Sequence, residues 1–237
     1  MRDRLVLGYH DVSDSAGYER TVVKAALRAQ VVSLSHRGYV GTTFSRAMHA
    51  PAAGRWLAVT FDDGERGVFE HAFPALAEVG VPGTAFVSVG HVGTPGMLGW
   101  PDLAVLADAG WEIGSHTMTH RRLTELENVE LDEELRSSRK AIEDTLGQPC
   151  HSIAYPYGDV DSRVRASAAA AGFTAGCTTG GRPRDDILCW PRVGVHGSDN
   201  LLVFRLKSSR FGRMLRRTPL RAPLERVGRT ARVLKSG

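Results

Sequence analysis

The residues best suited to chemistry in this 237-residue chain fall in two short stretches. In Val59-Thr60-Phe61-Asp62-Asp63-Gly64, an apolar run that begins at Trp56 ends on two adjacent carboxylates and a glycine. A strand would lift the carboxylates to one end of a sheet, and Gly64 would let the backbone turn away beneath them. Neighbouring side chains diverge on extended backbone, so one aspartate could hold a metal while the other handles a proton. An Asp-Asp-Gly turn between a strand and a helix explains the same residues equally well. The second stretch, Gly114-Ser115-His116-Thr117-Met118-Thr119-His120, also follows an apolar strand, Trp111 to Ile113. Histidines four apart on a helical turn project from one face, a spacing that suits two imidazoles on one cation or a plain solvated helix surface. Together with a strand-end carboxylate they make a three-ligand set that leaves a coordination position for water, as catalytic zinc sites do.

The elements that must position these groups follow from the hydrophobic pattern. Strands are expected at Arg4 to His10, Tyr39 to Thr43, Trp56 to Phe61, Thr84 to Val89, Trp111 to Ser115, Ser152 to Tyr155, Phe173 to Thr178 and Ile187 to Val195. Between them the pattern predicts a helix capped by Thr21 and running through Val23, Leu27, Val31 and Leu34. Further helices are expected at Val68 to Glu78, kinked at Pro74, at Asp102 to Ala109, at Leu131 to Leu146 and at Ser162 to Ala171. This alternation argues for an α/β fold with a parallel sheet covered on both faces. Polar residues able to do chemistry end at least four separate strands, at His10, Asp62 with Asp63, His116 and Tyr157. A doubly wound sheet would gather its ligand at one switch point, whereas a barrel collects residues from many strands at its C-terminal mouth.

Thr60-Phe61-Asp62-Asp63-Gly64, Ser115-His116-Thr117-Met118-Thr119-His120 and Ile153-Ala154-Tyr155-Pro156-Tyr157-Gly158 resemble, in order and spacing, the motifs of the polysaccharide deacetylase family, also called the NodB homology or carbohydrate esterase 4 family. The resemblance covers about residues 4 to 200 and implies an irregular (β/α) barrel with a missing or distorted repeat. The expected organisation is one such domain over 1–200 and a basic tail over 201–237. By the same resemblance Asp63, His116 and His120 would bind the metal. Asp62 would be the general base toward a metal-activated water, and the backbone N–H of Tyr157 would face the oxyanion. Zinc suits two imidazoles and a carboxylate, and cobalt, nickel and iron(II) are chemically acceptable. The implied reaction is removal of an N-acetyl group from an amino sugar in a glycan, a lipid-linked or a nucleotide-linked saccharide. Hydrolysis of another C–N bond in a small amide, or a non-catalytic membrane-associated carbohydrate-binding role, stand as alternatives.

Two departures from the family pattern matter. Many relatives carry an arginine at the position of Ala154, where it steadies the catalytic aspartate. Arg192, in Pro191-Arg192-Val193, is the candidate substitute and is expected to pair with Asp62. The Leu-x-His motif that supplies a proton donor in many relatives is missing after Arg192. Leu7-Gly8-Tyr9-His10 resembles the displaced Tyr-His segment of the poly-N-acetylglucosamine deacetylases, making His10 the expected general acid and His196 the reserve.

With 42% hydrophobic and 24% charged residues the chain has ordinary globular composition. Cys150, Cys177 and Cys189 are odd in number and not spaced as a metal knot, so buried thiols are expected. The Leu5 to Leu7 run is far short of a signal-peptide core, which reads as a cytoplasmic protein. From Arg205 onward eleven Lys and Arg face Glu225 alone, a net +10 that leaves the rest of this +4 chain at −6. Mixed with Phe204, Leu206, Phe211, Met214 and Leu215, those charges suggest a basic amphipathic segment for an anionic membrane at the inner face, with no nucleic acid expected as partner.

Overall fold

A computed structural model describes residues 3–15, 19–179 and 186–215. Among the described residues the strands are β1 (Asp3–Tyr9), β2 (Asp11–Ser13), β3 (Thr21–Val23), β4 (Val40–Thr42), β5 (Arg55–Phe61), β6 (Gly83–Val87), β7 (Glu112–Ser115), β8 (Ser152–Ala154), β9 (Ala175–Thr179) and β10 (Trp190–Gly194). The helices are α1 (Lys24–Ser35), α2 (Phe44–His49), α3 (Phe73–Ala77), α4 (Trp100–Asp108), α5 (Asn128–Leu146), α6 (Ser162–Ala170), α7 (Leu201–Ser208) and α8 (Arg210–Leu215).

Every pairing in the main sheet is parallel, in the order β1-β10-β9-β8-β7-β6-β5, and β5 closes back onto β1. The result is the expected irregular (β/α) barrel, closed by seven strands. Its irregularity is local. Strand β4 takes the first half of one edge of β5, Val40 against Trp56, and β6 takes the second half, Val59 against Gly83. Because β1 and β6 are buried along their whole lengths, both faces of these strands must be covered. Helix α2 plugs the N-terminal end: Phe44, Ala47 and Met48 pack with Val6, Ala58, Phe86, Ala154, Ala175 and Cys177 in the interior. Glu112 holds the plug by accepting the Ser45 N–H at 2.8 Å and the Ser152 hydroxyl at 2.5 Å.

Several expectations are revised. Thr21 does not cap α1. It lies in β3, which pairs with β2, and its hydroxyl donates to Asp11 Oδ2 at 3.3 Å. A β-branched Thr-Val-Val run prefers extended backbone, so α1 starts later, at Lys24. Pro74 marks the expected break: a π-helical turn, Val68–Ala72, precedes α3, which takes the proline in its first turn. Phe204, in the stretch that the sequence reading assigns to the tail, is fully buried in the main core. Residues 216–237, the remainder of that tail, lie outside the described residues. Cys150 and Cys177 are buried free thiols, and Cys189 is half-buried. No helix among the described residues is long and apolar enough to cross a membrane.

Candidate active site

Parallel strands bring all their C-terminal ends to one mouth, so register alone begins to assemble a site there. Tyr9 pairs with Phe61 across β1 and β5, and Asp62 donates its backbone N–H to the Tyr9 carbonyl at 3.0 Å. His10 and the aspartate pair thus leave neighbouring strands side by side. Asp63 takes a left-handed backbone, φ 70°, and Gly64 follows at φ 85°. That bend turns the two carboxylates to different work.

Asp63 faces the histidines. Its Oδ1 lies 3.4 Å from His116 Nε2 and 3.3 Å from His120 Nε2. One ligand atom from each of the three residues falls within 4.8 Å of the others, and this is the candidate metal cluster found among the described residues. The donor chemistry fits a divalent cation. His116 Nδ1 sits 2.7 Å from the Ala154 carbonyl, which takes its proton and leaves Nε2 to point at the cluster, the usual second hydrogen bond of a metal-binding imidazole. Without a cation, burial works against charge on both groups. It is outweighed at Asp63 by hydrogen bonds from His116 and His120, which hold the carboxyl far below its usual range. At His116 burial lowers the pKa, but the Asp62 charge and the Asp63 hydrogen bond prevail and raise it.

The two histidines are not on a helix, contrary to the sequence reading. Strand β7 stops at Ser115, and 116–122 form a loop in which Thr117 and His120 have φ of 70° and 60°, values a right-handed helix excludes. Glu134 of α5, buried, takes the N–H groups of Met118 and Thr119 at 2.9 Å each. Ser115 Oγ, paired with Ser138 of α5 at 2.8 Å, accepts the N–H of Thr117 at 3.0 Å. The backbone donors are therefore spent on side chains, not on a helical ladder. Sequence reasoning missed Glu134, although it falls on the apolar face of α5 three residues from Leu131, where a carboxylate needs a partner.

Asp62 faces inward and is 3% exposed. Arg192 of β10, equally buried, meets both its oxygens at 2.6 Å in a bidentate fork and adds 3.0 Å to Thr60 Oγ1. The pair expected from the sequence is present. Burial raises the Asp62 pKa, but the Arg192 charge outweighs it and keeps the group ionised. His10, mostly buried, has its Nδ1 without a hydrogen-bond partner. Burial lowers its pKa to about 4 against the opposing charge of Asp62. His196 lies past β10 and donates its backbone N–H to Asp199 at 3.1 Å.

Tyr157 follows β8 in a left-handed conformation, φ 61°, with a ring that is 54% exposed. The ring packs edge-on against His120, centroids 4.9 Å apart, and Arg122 stacks over it at 4.2 Å, itself held by Asp159. Arg20 was also missed. It pairs with Asp63 Oδ2, leaving Oδ1 to the histidines. Among the described residues, the non-glycine positions with left-handed backbone are Asp63, Thr117, His120 and Tyr157, all in this mouth. Strain of about 1–3 kcal/mol at each such residue, concentrated in one place, is what a pre-organised site looks like.

Comparison with known proteins agrees with the geometry. The family model described as polysaccharide deacetylase matches residues 49–176, more than half of the chain. YxkH of Bacillus subtilis (strain 168), grouped by name with the polysaccharide deacetylases, is 27% identical over 179 residues, 73% of this chain and 63% of that protein. Chitin deacetylase 1 of Cryptococcus neoformans var. grubii is 35% identical over 128 residues, 54% of this chain and 26% of its own length. The matched region thus spans less than two thirds of these relatives. In structure, the polysaccharide deacetylase BC0361 from Bacillus cereus superposes with a TM-score of 0.78 at 27% identity, over 88% of this chain and 69% of that one. The chain belongs to the polysaccharide deacetylase family.

Proposed function

We propose that the protein is a divalent-metal-dependent deacetylase that hydrolyses the acetamide of an N-acetylglucosamine-type saccharide to acetate and a free amine. The observation that carries this reading is the convergence of Asp63, His116 and His120 beside a buried, arginine-clamped Asp62. The substrate class is supported by relatives named chitin deacetylase and, at 27% identity over 118 residues, the poly-β-1,6-N-acetyl-D-glucosamine N-deacetylase of Staphylococcus aureus.

Asp63, His116 and His120 would hold the cation, zinc being the best match to the donor set. Such a cation supplies Lewis acidity toward the acetamide oxygen and lowers the pKa of water to about 7. Asp62 takes the proton of the attacking water. Arg192 fixes its orientation with two hydrogen bonds and keeps it in the carboxylate form that can accept one. The backbone N–H of Tyr157 faces the charge that develops on the acetamide oxygen, and the exposed Tyr157 ring offers the sugar a wall. His10 gives a proton to the departing nitrogen as the C–N bond breaks. Burial lowers the His10 pKa to about 4, so His10 takes up from solvent the proton that it passes to the nitrogen, and Asp62 returns to solvent the proton it took from the water.

Acetate release tests this directly. Free, oligomeric, nucleotide-linked and lipid-linked N-acetylglucosamine substrates are incubated with the protein as purified, after chelation, and after addition of zinc or cobalt. Release that chelation abolishes and metal restores supports the reading. A metal-loaded protein that frees acetate from none of them overturns it, and turnover of a small non-sugar amide alone reassigns the substrate.

A further inference from the structure

We infer that the outward face of α7 and α8 is a docking surface for an anionic lipid bilayer. The sequence pointed to a basic tail, and the structure identifies which side chains form a surface. Helix α7 is pinned from inside: Phe204 and Ser208 are fully buried, Asn200 caps its start, and Lys207 is tied to Asp199. Helix α8 is pinned at the far end of the barrel, where Arg210 and Arg213 reach Asp3 of β1 at 3.1 and 2.8 Å. With the inner faces so held, the large apolar side chains left over point outward. Leu202 is 77% exposed, Leu206 60% and Phe211 59%, with Leu201 and Val203 beside them at 37% and 38%. Leu202 and Leu206 are one helical turn apart, so they form a row, and the exposed Arg205 lies beside it.

An apolar row with the Arg205 guanidinium beside it matches the boundary between headgroups and acyl chains, where leucine and phenylalanine insert and arginine meets phosphate. Charge selects the same partner. Of the net +10 from Arg205 onward, Lys207, Arg210 and Arg213 are tied to Asp199 and Asp3; the rest is carried by Arg205 and by 216–237, whose sequence mixes Arg with Leu220, Leu224, Val227, Val233 and Leu234. A nucleic acid would meet the arginines and leave the leucines in water, whereas a bilayer uses both. The face runs along the barrel side, from the mouth, where Val195 donates to the Gly8 carbonyl, to the opposite end at Asp3. The inference does not depend on the deacetylase reading.

Co-sedimentation of the full chain tests it, with vesicles of phosphatidylcholine alone beside vesicles that also contain phosphatidylglycerol. Binding is expected only to the second kind and should fade as salt is raised. The triple variant Leu202→Ser, Leu206→Ser, Phe211→Ser should bind about tenfold more weakly or worse, and Arg205→Gln about fivefold more weakly. All are exposed positions, so circular dichroism and thermal unfolding should match the parent protein. Equal binding to both vesicle types overturns the inference. So does a triple variant that binds like the parent, which would assign the attachment to 216–237, or a parent protein that self-associates without lipid through the same three residues. Oligonucleotide binding in place of vesicle binding overturns it as well.

Discussion

Both ends of the barrel bury a carboxylate against arginine, and they do it in opposite ways. At the N-terminal end Asp3, 5% exposed, is surrounded by Arg55, Arg210 and Arg213, and Tyr39 donates its hydroxyl at 3.1 Å. Burial raises its pKa, but the hydrogen bonds and charge of Arg213, with Arg55 and Arg210, bring it down to about 2. Arg55 comes from β5 and Arg210 and Arg213 from α8, so this knot ties α8 and β5 to β1. At the mouth Asp62 has one arginine, fully enclosed, while Asp63 next to it is shared between Arg20 and two histidines. The left-handed non-glycine residues among those described all belong to the mouth. One end is over-satisfied and closed. The other is held in a strained arrangement with groups oriented for something that is not part of the chain. The contrast separates a carboxylate that fastens from carboxylates to which the proposed function gives chemical roles.

Substitutions can break that comparison, starting with the strongest. Asp62→Asn keeps the shape and removes the proposed base, so turnover should fall by about a thousandfold with metal content unchanged in elemental analysis. Arg192→Met leaves Asp62 buried without its partner and should cost about 3–5 kcal/mol in denaturant unfolding, with loss of activity; Arg192→Lys should recover part of the stability but little of the two-point orientation. His10→Ala should slow turnover by about a hundredfold while metal binding persists. Unchanged turnover would move the acid role to His196.

Asp3→Asn sharpens the contrast from the other end. Asp3 has its pKa depressed in the folded protein, from 3.8 to about 2. Its contribution is therefore present above pH 3.8 and lost as pH falls toward 2. The substitution should cost about 2 kcal/mol at neutral pH, flatten the loss of stability between about pH 4 and 2, and leave the turnover of the folded enzyme unaltered. The smallest effect is expected for Arg20→Ala. If Arg20 steadies Asp63 by holding Oδ2, zinc affinity measured by indicator competition should weaken about tenfold. Tighter binding would instead mean that Arg20 competes with the cation.

Most of the barrel was legible because parallel, doubly covered strands must be apolar along their length, and β1, β5, β6 and β7 read that way within a residue or two. The pieces that escaped are short or held by distant partners. Helix α2 spans six residues and is held by Glu112 and the barrel interior, and β2 and β3 have three residues each, neither long enough for a periodicity to show. Misplacing the histidines on a helix had the same origin, since spacing alone could not reveal that Glu134 takes the backbone donors of Met118 and Thr119.

The sequence by itself determined which groups are available and at which strand ends they leave the barrel: Asp62 with Asp63, His116, His10 and Tyr157, and an arginine at 192 where position 154 has none. Strand polarity is encoded locally, and parallel pairing then sends every one of those ends to the same mouth. Only the tertiary structure decided that Asp63 turns to the histidines while Asp62 turns inward to Arg192, that Arg20 takes the remaining oxygen, and that α7 and α8 show leucine and phenylalanine to solvent. Those outcomes depend on left-handed backbone bends and on charges brought together from far apart in the chain, and neither leaves a mark on local sequence pattern.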